Sequence, residues 1–341
     1  MNARIKSVGL AAVAFAGVVS LAACGSSSAS GSSTSGGGAK SINLVGYSVP
    51  KPAYDALEAA FQATPQGKGV TFNASYGPSG TQAKAVAAGQ VKADYVNFST
   101  SSDLKKLVPG QVAEGWDAGA TKGIVADSVV AIVVRKGNPL GIKTWDDLIK
   151  PGVKIVTPDP KSSGSAKWNI LAAYEHVISD GGTKDQAKAY LKAFFGNVVS
   201  RADSGSVATQ QFLNGTGDVL ISYEAEAIAA RAKGADIDYI VPSDNILIQT
   251  PAAVTTTASQ SAKDFLSFVE SNAGQQIFAQ YGFRPALAGV TASSVKGAED
   301  PANAYPTVAK LVTIKQLGGW SSVNDEFFGD NGLVTAIEGS Q

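Results

Sequence analysis

One cysteine, Cys24, stands in a chain of 341 residues, so no disulfide can form within it. There is one histidine, His176. A serine nucleophile would have that single imidazole as its base, and a transition-metal site would have to be all carboxylate, for which no clustered acidic spacing exists. His176 falls inside a helix predicted over residues 165–179, well past its first turn, and is expected on the solvent side. No G-x-S-x-G elbow, G-x-x-x-x-G-K-[S/T] loop or dinucleotide fingerprint occurs. Charge is scarce as well: 16% of residues are charged and 28 bases balance 28 acids, a composition that does not favour a nucleic-acid partner. After residue 23 no apolar run approaches the ~20 residues that cross a bilayer. These absences count against catalysis, metals and organic cofactors, and turn attention to binding.

What is present begins with Arg4 and Lys6, followed by an apolar run over residues 8–23 that ends in Leu21-Ala22-Ala23-Cys24. That is the pattern of a lipoprotein export signal rather than a spanning helix. Residues 1–23 are expected to be a signal peptide and Cys24 the lipid-bearing first residue of the mature chain. The protein is then expected on the extracytoplasmic face of the cell membrane, in the periplasmic space or cell-wall zone. A buried methylene contributes about 0.8 kcal/mol, so two acyl chains hold where one binds marginally. Membrane contact would rest on that lipid alone. Residues 24–40, rich in Gly and Ser, read as a flexible tether.

About 300 residues follow, at the upper limit of what one hydrophobic core organises, so two lobes are expected. Short β-rich runs alternate with helical stretches, which predicts α/β architecture, each lobe a mainly parallel sheet flanked by helices. Strands are predicted over 42–47, 70–75, 93–98, 128–135, 153–157, 197–202, 218–223 and 239–241, and helices over 81–89, 165–179, 207–213 and 224–233. Lobe I is assigned 41–126 and 251–341, and lobe II 127–250, with crossings sought at 128–135, 245–250 and 252–257. A monomer is expected.

In α/β folds ligands settle at the carboxyl ends of strands, where helices begin and the first N–H groups have no intrahelical partner. Four such junctions carry glycine or small hydroxyl residues: Gly46-Tyr47-Ser48, Gly77-Pro78-Ser79-Gly80-Thr81, Ser162-Ser163-Gly164-Ser165 and Asp203-Ser204-Gly205-Ser206. Glycine lets backbone approach closely, serine adds an O–H donor, and the helix dipole favours a negative guest. A lone serine at a helix start is otherwise an N-cap, stabilising by about 1 kcal/mol. Recurrence at four junctions in both halves favours an anion cradle.

Several longer runs match a family. They are Ser75-Tyr76-Gly77-Pro78-Ser79-Gly80-Thr81-Gln82, Arg135-Lys136-Gly137-Asn138-Pro139, Thr157-Pro158-Asp159-Pro160-Lys161-Ser162-Ser163-Gly164-Ser165 and Tyr281-Gly282-Phe283-Arg284-Pro285, with further matches over 143–153 and 217–227. Together they resemble, in order from 42 to about 285, the sulfate- and thiosulfate-binding proteins of ABC importers. The resemblance implies a two-lobed periplasmic-binding-protein fold of type II that closes over a dehydrated oxyanion and delivers it to a membrane permease with its ATPase. It implies donors from the hydroxyls of Ser79 and Ser163 and the backbone N–H groups of Gly164, Ser165 and Ser206, with Gly80 beside them. Ser48 stands where the family commonly has an aspartate that gives a backbone N–H. Tyr223 stands where sulfate binders often have tryptophan, and Val207 replaces a frequent arginine. A tyrosine hydroxyl both donates and accepts, which keeps phosphate and other tetrahedral oxyanions as alternative ligands.

Neutral donors are sufficient in energy. A hydrogen bond to a charged group contributes about 1.5 to 3 kcal/mol net, and micromolar binding needs about 8 kcal/mol. Sulfate at neutral pH brings no proton, whereas phosphate keeps one for part of its population, and a donor-only pocket leaves that O–H unpaired at a cost of about 1 to 3 kcal/mol. Asp127, Asp203 and Glu224 are the acceptors that could reverse this preference. Two other classes stay open: a serine-dependent hydrolase, and a surface lipoprotein that kept the fold without transport. The segment 301–341, with Trp320 and Phe327-Phe328, is expected to pack against a lobe.

Overall fold

The computed structural model describes residues 40–339. The expected signal peptide, Cys24 and tether lie outside the described residues, apart from Lys40, which opens the first strand.

Two five-stranded sheets organise the body. The first has the order β2-β1-β3-β11-β4, from β1 (Lys40–Tyr47), β2 (Val70–Gly77), β3 (Tyr95–Asn97), β4 (Ile124–Ser128) and β11 (Ile248–Val254). The second has the order β7-β6-β8-β5-β9, from β5 (Val130–Arg135), β6 (Ile155–Pro158), β7 (Val198–Ala202), β8 (Val219–Tyr223) and β9 (Ile237–Ile240). A short parallel pair joins β10 (Asp244–Ile246) to β12 (Lys310–Val312). Each large sheet is parallel on one side: β1 with β2 and β3, and β6 with β7 and β8. The strands adjoining the crossings, β4, β5, β9 and β11, run antiparallel to their neighbours. The parallel register brings the carboxyl ends Tyr47 and Gly77 together in one sheet and Pro158 and Ala202 in the other.

Helices cover the sheets. They are α1 (Lys51–Gln62), α2 (Ser79–Ala87), α3 (Ser101–Lys105), α4 (Gly164–Ser179), α5 (Lys184–Gly196), α6 (Gly205–Leu213), α7 (Glu224–Ala232), α8 (Gln260–Glu270), α9 (Asn272–Gln280), α10 (Gly319–Val323) and α11 (Leu333–Glu338), with a π-helical turn over Asn324–Phe328. In α1, Pro52 sits in the first turn, where its missing N–H costs nothing, and Ala53, Tyr54, Leu57 and Phe61 recur on one buried face. Helix α5, absent from the sequence expectations, starts on a capping box between Thr183 and Gln186.

Helix α4 is buried on nearly every side, because the C-terminal segment covers the face that the sheet leaves open. Trp168 meets Trp320 edge-on at 4.8 Å, and Tyr174 meets Phe327 at 4.8 Å. Arg201 of β7 pairs with Glu338 at 2.6 Å. The C-terminal segment therefore packs on the second sheet's layer, and its α10 also contacts α3 beside the first sheet. The expectation for His176 is corrected. It is buried, bonded to Asp244 at 2.5 Å and Asp146 at 3.2 Å. Burial alone would lower its imidazole, but these bonds outweigh burial and raise it above the ordinary histidine value.

The chain passes between sheets at Ser128–Val130 and again through β10. Asn245 ties the two passages, accepting from the Val130 N–H at 2.9 Å and donating to the Val130 carbonyl at 2.8 Å. Beside it, Arg284 bridges the backbone of Asp127 and grips buried Glu224 through two bonds of 2.7 and 3.0 Å. Among the described residues no helix is long and apolar enough to cross a membrane, and no cluster of three metal-ligating side chains occurs.

Candidate functional site

The serine and glycine junctions converge on the seam between the sheets. Ser79, Ser163, Ser165 and Tyr223 are all buried there. A chain of contacts runs through them. The Ser79 hydroxyl accepts from the Ser99 N–H at 3.0 Å, and the Ser99 and Tyr223 hydroxyls are hydrogen-bonded at 2.8 Å. The Tyr223 hydroxyl also reaches Ser165. A Cβ placed on Gly205 would stand 3.2 Å from the Ser165 Oγ and 3.0 Å from Val49, next to Ser48. Ser48 and Ser206 line one further cavity of about 670 Å³. Ser79, Ser165 and Tyr223 are thus linked through Ser99, and Gly164 lies against Ser99, while Ser48 and Ser206 border a separate cavity.

The seam is closed. The Gly80 N–H donates to the Ser162 carbonyl at 3.0 Å, and the Trp168 indole N–H donates to the Ser99 carbonyl at 2.9 Å. Gly164 lies so near the facing loop that a Cβ there would meet Ser99 Cβ at 2.8 Å. Only glycine fits at that approach.

Helix starts leave backbone N–H groups without intrahelical partners. The N–H groups of Gly164 and Ser165 open the 16-residue α4, and that of Ser206 lies in the first turn of α6, positions where an N–H has no intrahelical acceptor. Ser204 is an ordinary cap, its hydroxyl accepting from the Val207 N–H at 3.3 Å. Ser163 is not. It occupies the N-cap of α4 with extended backbone, yet its side chain makes no capping bond. The hydroxyl and the first amides of a long helix are left together, buried between two lobes.

Two expected donors are otherwise engaged. The Ser79 hydroxyl donates to Asp103 Oδ2 at 2.7 Å, because α3 sets that carboxylate against the start of α2, and so Ser79 does not face the gap as a donor. The Gly80 N–H is taken by Ser162.

The carboxylates also differ from expectation. Asp203 is exposed, Glu224 is held by Arg284, and Asp127 stands on β4 beside Arg284, its acid raised by burial to about 7. The two that border the seam are Asp103 and Glu226. Asp103 has both oxygens engaged, by Ser79 and by Lys106 at 2.6 Å. Glu226 accepts from the Ser222 hydroxyl at 2.5 Å, its Oε2 lies 3.1 Å from where a Gly205 Cβ would stand, and burial lifts its acid to about 7. Burial likewise raises the Tyr223 hydroxyl, so it keeps its proton.

Sequence reasoning missed Ser99, Asp103 and Glu226. The run Ser99-Thr100-Ser101-Ser102 follows β3 as the other junctions follow their strands, but it contains no glycine. Glu226 gave no signal, since its place in the first turn of α7 is where any solvated acid favours the helix dipole.

Comparison with known proteins gives consistent relatives. Residues 42–284 match the family described as bacterial extracellular solute-binding protein. A sulfate-binding protein of Synechococcus elongatus is 40% identical over 340 residues, covering 96% of this chain and 95% of that one. A thiosulfate-binding protein of Pseudomonas aeruginosa is 30% identical, covering 86% and 90% respectively. The solved structure of the sulfate-binding protein SubI from Mycobacterium tuberculosis superposes with a TM-score of 0.79 at 43% identity, covering 85% of this chain and 99% of that one.

Proposed function

This chain belongs to the bacterial extracellular solute-binding proteins, and on that premise we propose that it captures sulfate or thiosulfate between its lobes and passes it to an ABC permease driven by an ATPase across the membrane. The observation that carries this reading is the uncapped start of α4: the Ser163 hydroxyl and the Gly164 and Ser165 N–H groups, buried in the seam and facing the Tyr223 side. The Ser206 and Ser48 N–H groups complete the donor set from α6 and from the loop after β1. Ser79 acts behind them, holding Ser99 in place. Gly80 latches the closed state through Ser162. The hinge lies at Ser128–Val130 and β10, where Asn245 joins the two passages. Attachment is through lipid on Cys24, outside the cytoplasmic membrane, and the protein acts as a monomer.

Binding is preferred to hydrolysis on geometry. His176 stands thirteen positions along α4 from Ser163, roughly 20 Å at 1.5 Å per residue, and both its ring nitrogens face Asp244 and Asp146. No serine of the seam has it as a base. A second reading, phosphate, draws on Glu226, an acceptor beside the start of α6 that a protonated oxyanion could use. Calorimetric titration with sulfate, thiosulfate and phosphate separates them: the sulfate reading expects sulfate or thiosulfate to bind at least tenfold tighter than phosphate, and phosphate binding equally well would favour the second.

A further inference from the structure

A cavity of about 170 Å³ opens along one flank of the seam and ends on Ser163 and Gly164. Four lysines line it: Lys84 and Lys106 from the first lobe, Lys161 and Lys167 from the second. Two carboxylates share the lining, and both are engaged. Asp103 is held by Lys106 and Ser79, and Glu338 by Arg201 at 2.6 Å and Lys161 at 3.4 Å. Four cations against two anions leave the lining at +2 in a chain whose formal charge is zero. Among the described residues neither Lys84 nor Lys167 has a carboxylate partner. Lys167 instead donates to the Asn324 side-chain oxygen at 2.7 Å and lies 4.9 Å from the Phe328 ring centroid. Burial pulls its ammonium below the ordinary lysine value, with Asp103 acting the other way and Lys106 and Lys84 adding to the fall.

The opposite flank is different. The cavity there carries Lys51, already paired with Asp55 at 2.7 Å, together with Lys233 and Glu226. Counted the same way that lining is at +1, so the flank that leads to the α4 start is the more positive of the two.

Resting on the reading of the seam as an oxyanion site, we propose that this lysine-lined cavity is a transient subsite that draws inorganic dianions toward Ser163. Neutral N–H and O–H donors act at hydrogen-bond range, and they give a dianion no pull from a distance. Charges do, over a screening length of about 8 Å at physiological salt, and a charged cleft with low-dielectric walls raises on-rates by about 10 to 10³-fold. Keeping the lysines outside the final site separates fast capture from easy release. The C-terminal residues 320–338 then serve the rim of this cavity, where Asn324 and Phe328 hold Lys167 and Glu338 holds Lys161.

Stopped-flow tryptophan fluorescence with sulfate tests this, since Trp168 bonds across the seam beside the site. The proposal expects the association rate to fall about tenfold as ionic strength rises from about 0.01 to about 0.15 M. Lys84→Gln, at an exposed position, and Lys167→Gln should each slow association several-fold at low salt and flatten the salt dependence, with dissociation changed less than about twofold. If calorimetry shows sulfate bound at normal affinity while association ignores both salt and Lys84→Gln, the subsite is refuted and the site reading stands. Should sulfate not bind the wild-type protein at all, both fall.

Discussion

Replacing Gly164 with alanine separates closure from folding. In the closed seam the added methyl would lie 2.8 Å from Ser99 Cβ, 2.9 Å from Ser99 Oγ and 3.1 Å from Thr100 Cγ2. The first two contacts are shorter than real Cβ atoms show, and all three neighbours belong to the other lobe. Overpacking of this kind costs typically about 1 to 3 kcal/mol. At the first position of α4 alanine is at least as good a helix residue as glycine, and the lobes can relieve the clash by parting. Gly164→Ala should therefore weaken sulfate about 5- to 150-fold in calorimetry, since about 1.4 kcal/mol is tenfold, while the melting temperature without ligand stays near wild type. Adding Ser99→Gly should recover part of the affinity, because it removes the nearest two atoms while losing the bond to Tyr223. Wild-type affinity in the single variant would refute the claim that this approach is part of the bound state.

Ser163→Ala removes a hydroxyl that caps nothing, so sulfate affinity should fall by about 1 to 3 kcal/mol with little loss of stability by thermal melt. Arg284→Met leaves Glu224 buried without its partner and should cost about 3 to 5 kcal/mol in denaturant unfolding; Arg284→Met with Glu224→Gln should recover most of it. Burial holds the acids of Glu58, Asp127, Glu175 and Glu226 at about 7, and His176 is raised despite burial by its bonds to Asp244 and Asp146. Each binds its proton to higher pH when folded than when unfolded, so stability is highest in mild acid and falls as pH climbs toward and through 7. The melting temperature should drop between about pH 5.5 and about pH 8, and Glu226→Gln should shallow that slope; a rise over the same range would contradict the assignment.

The alternation of strands and helices was legible because each sheet's parallel side repeats one unit, a β-rich run, a small-residue turn and an apolar-striped helix. What escaped was decided by contacts distant in sequence. His176 was expected on the solvent side because nothing local offers an imidazole a partner; Asp244 and Asp146, in the 3-10 turn at Trp145–Ile149, hold it in the interior. The C-terminal segment was expected to pack against a lobe, but its partners, Trp168, Tyr174 and Arg201, lie more than a hundred residues earlier and could not be named. At the site, serine and glycine marked where the backbone amides gather. They gave no sign that Asp103, placed by α3, turns the Ser79 proton away from the gap.

The central claim is that uncharged amides and hydroxyls at the starts of α4 and α6 hold an oxyanion that carries no proton. Calorimetric titration of the purified protein with sulfate and phosphate in parallel, near neutral pH, tests it most directly. The account expects sulfate in the micromolar range or tighter and phosphate at least tenfold weaker; no heat with sulfate, or phosphate binding as tightly, would contradict it.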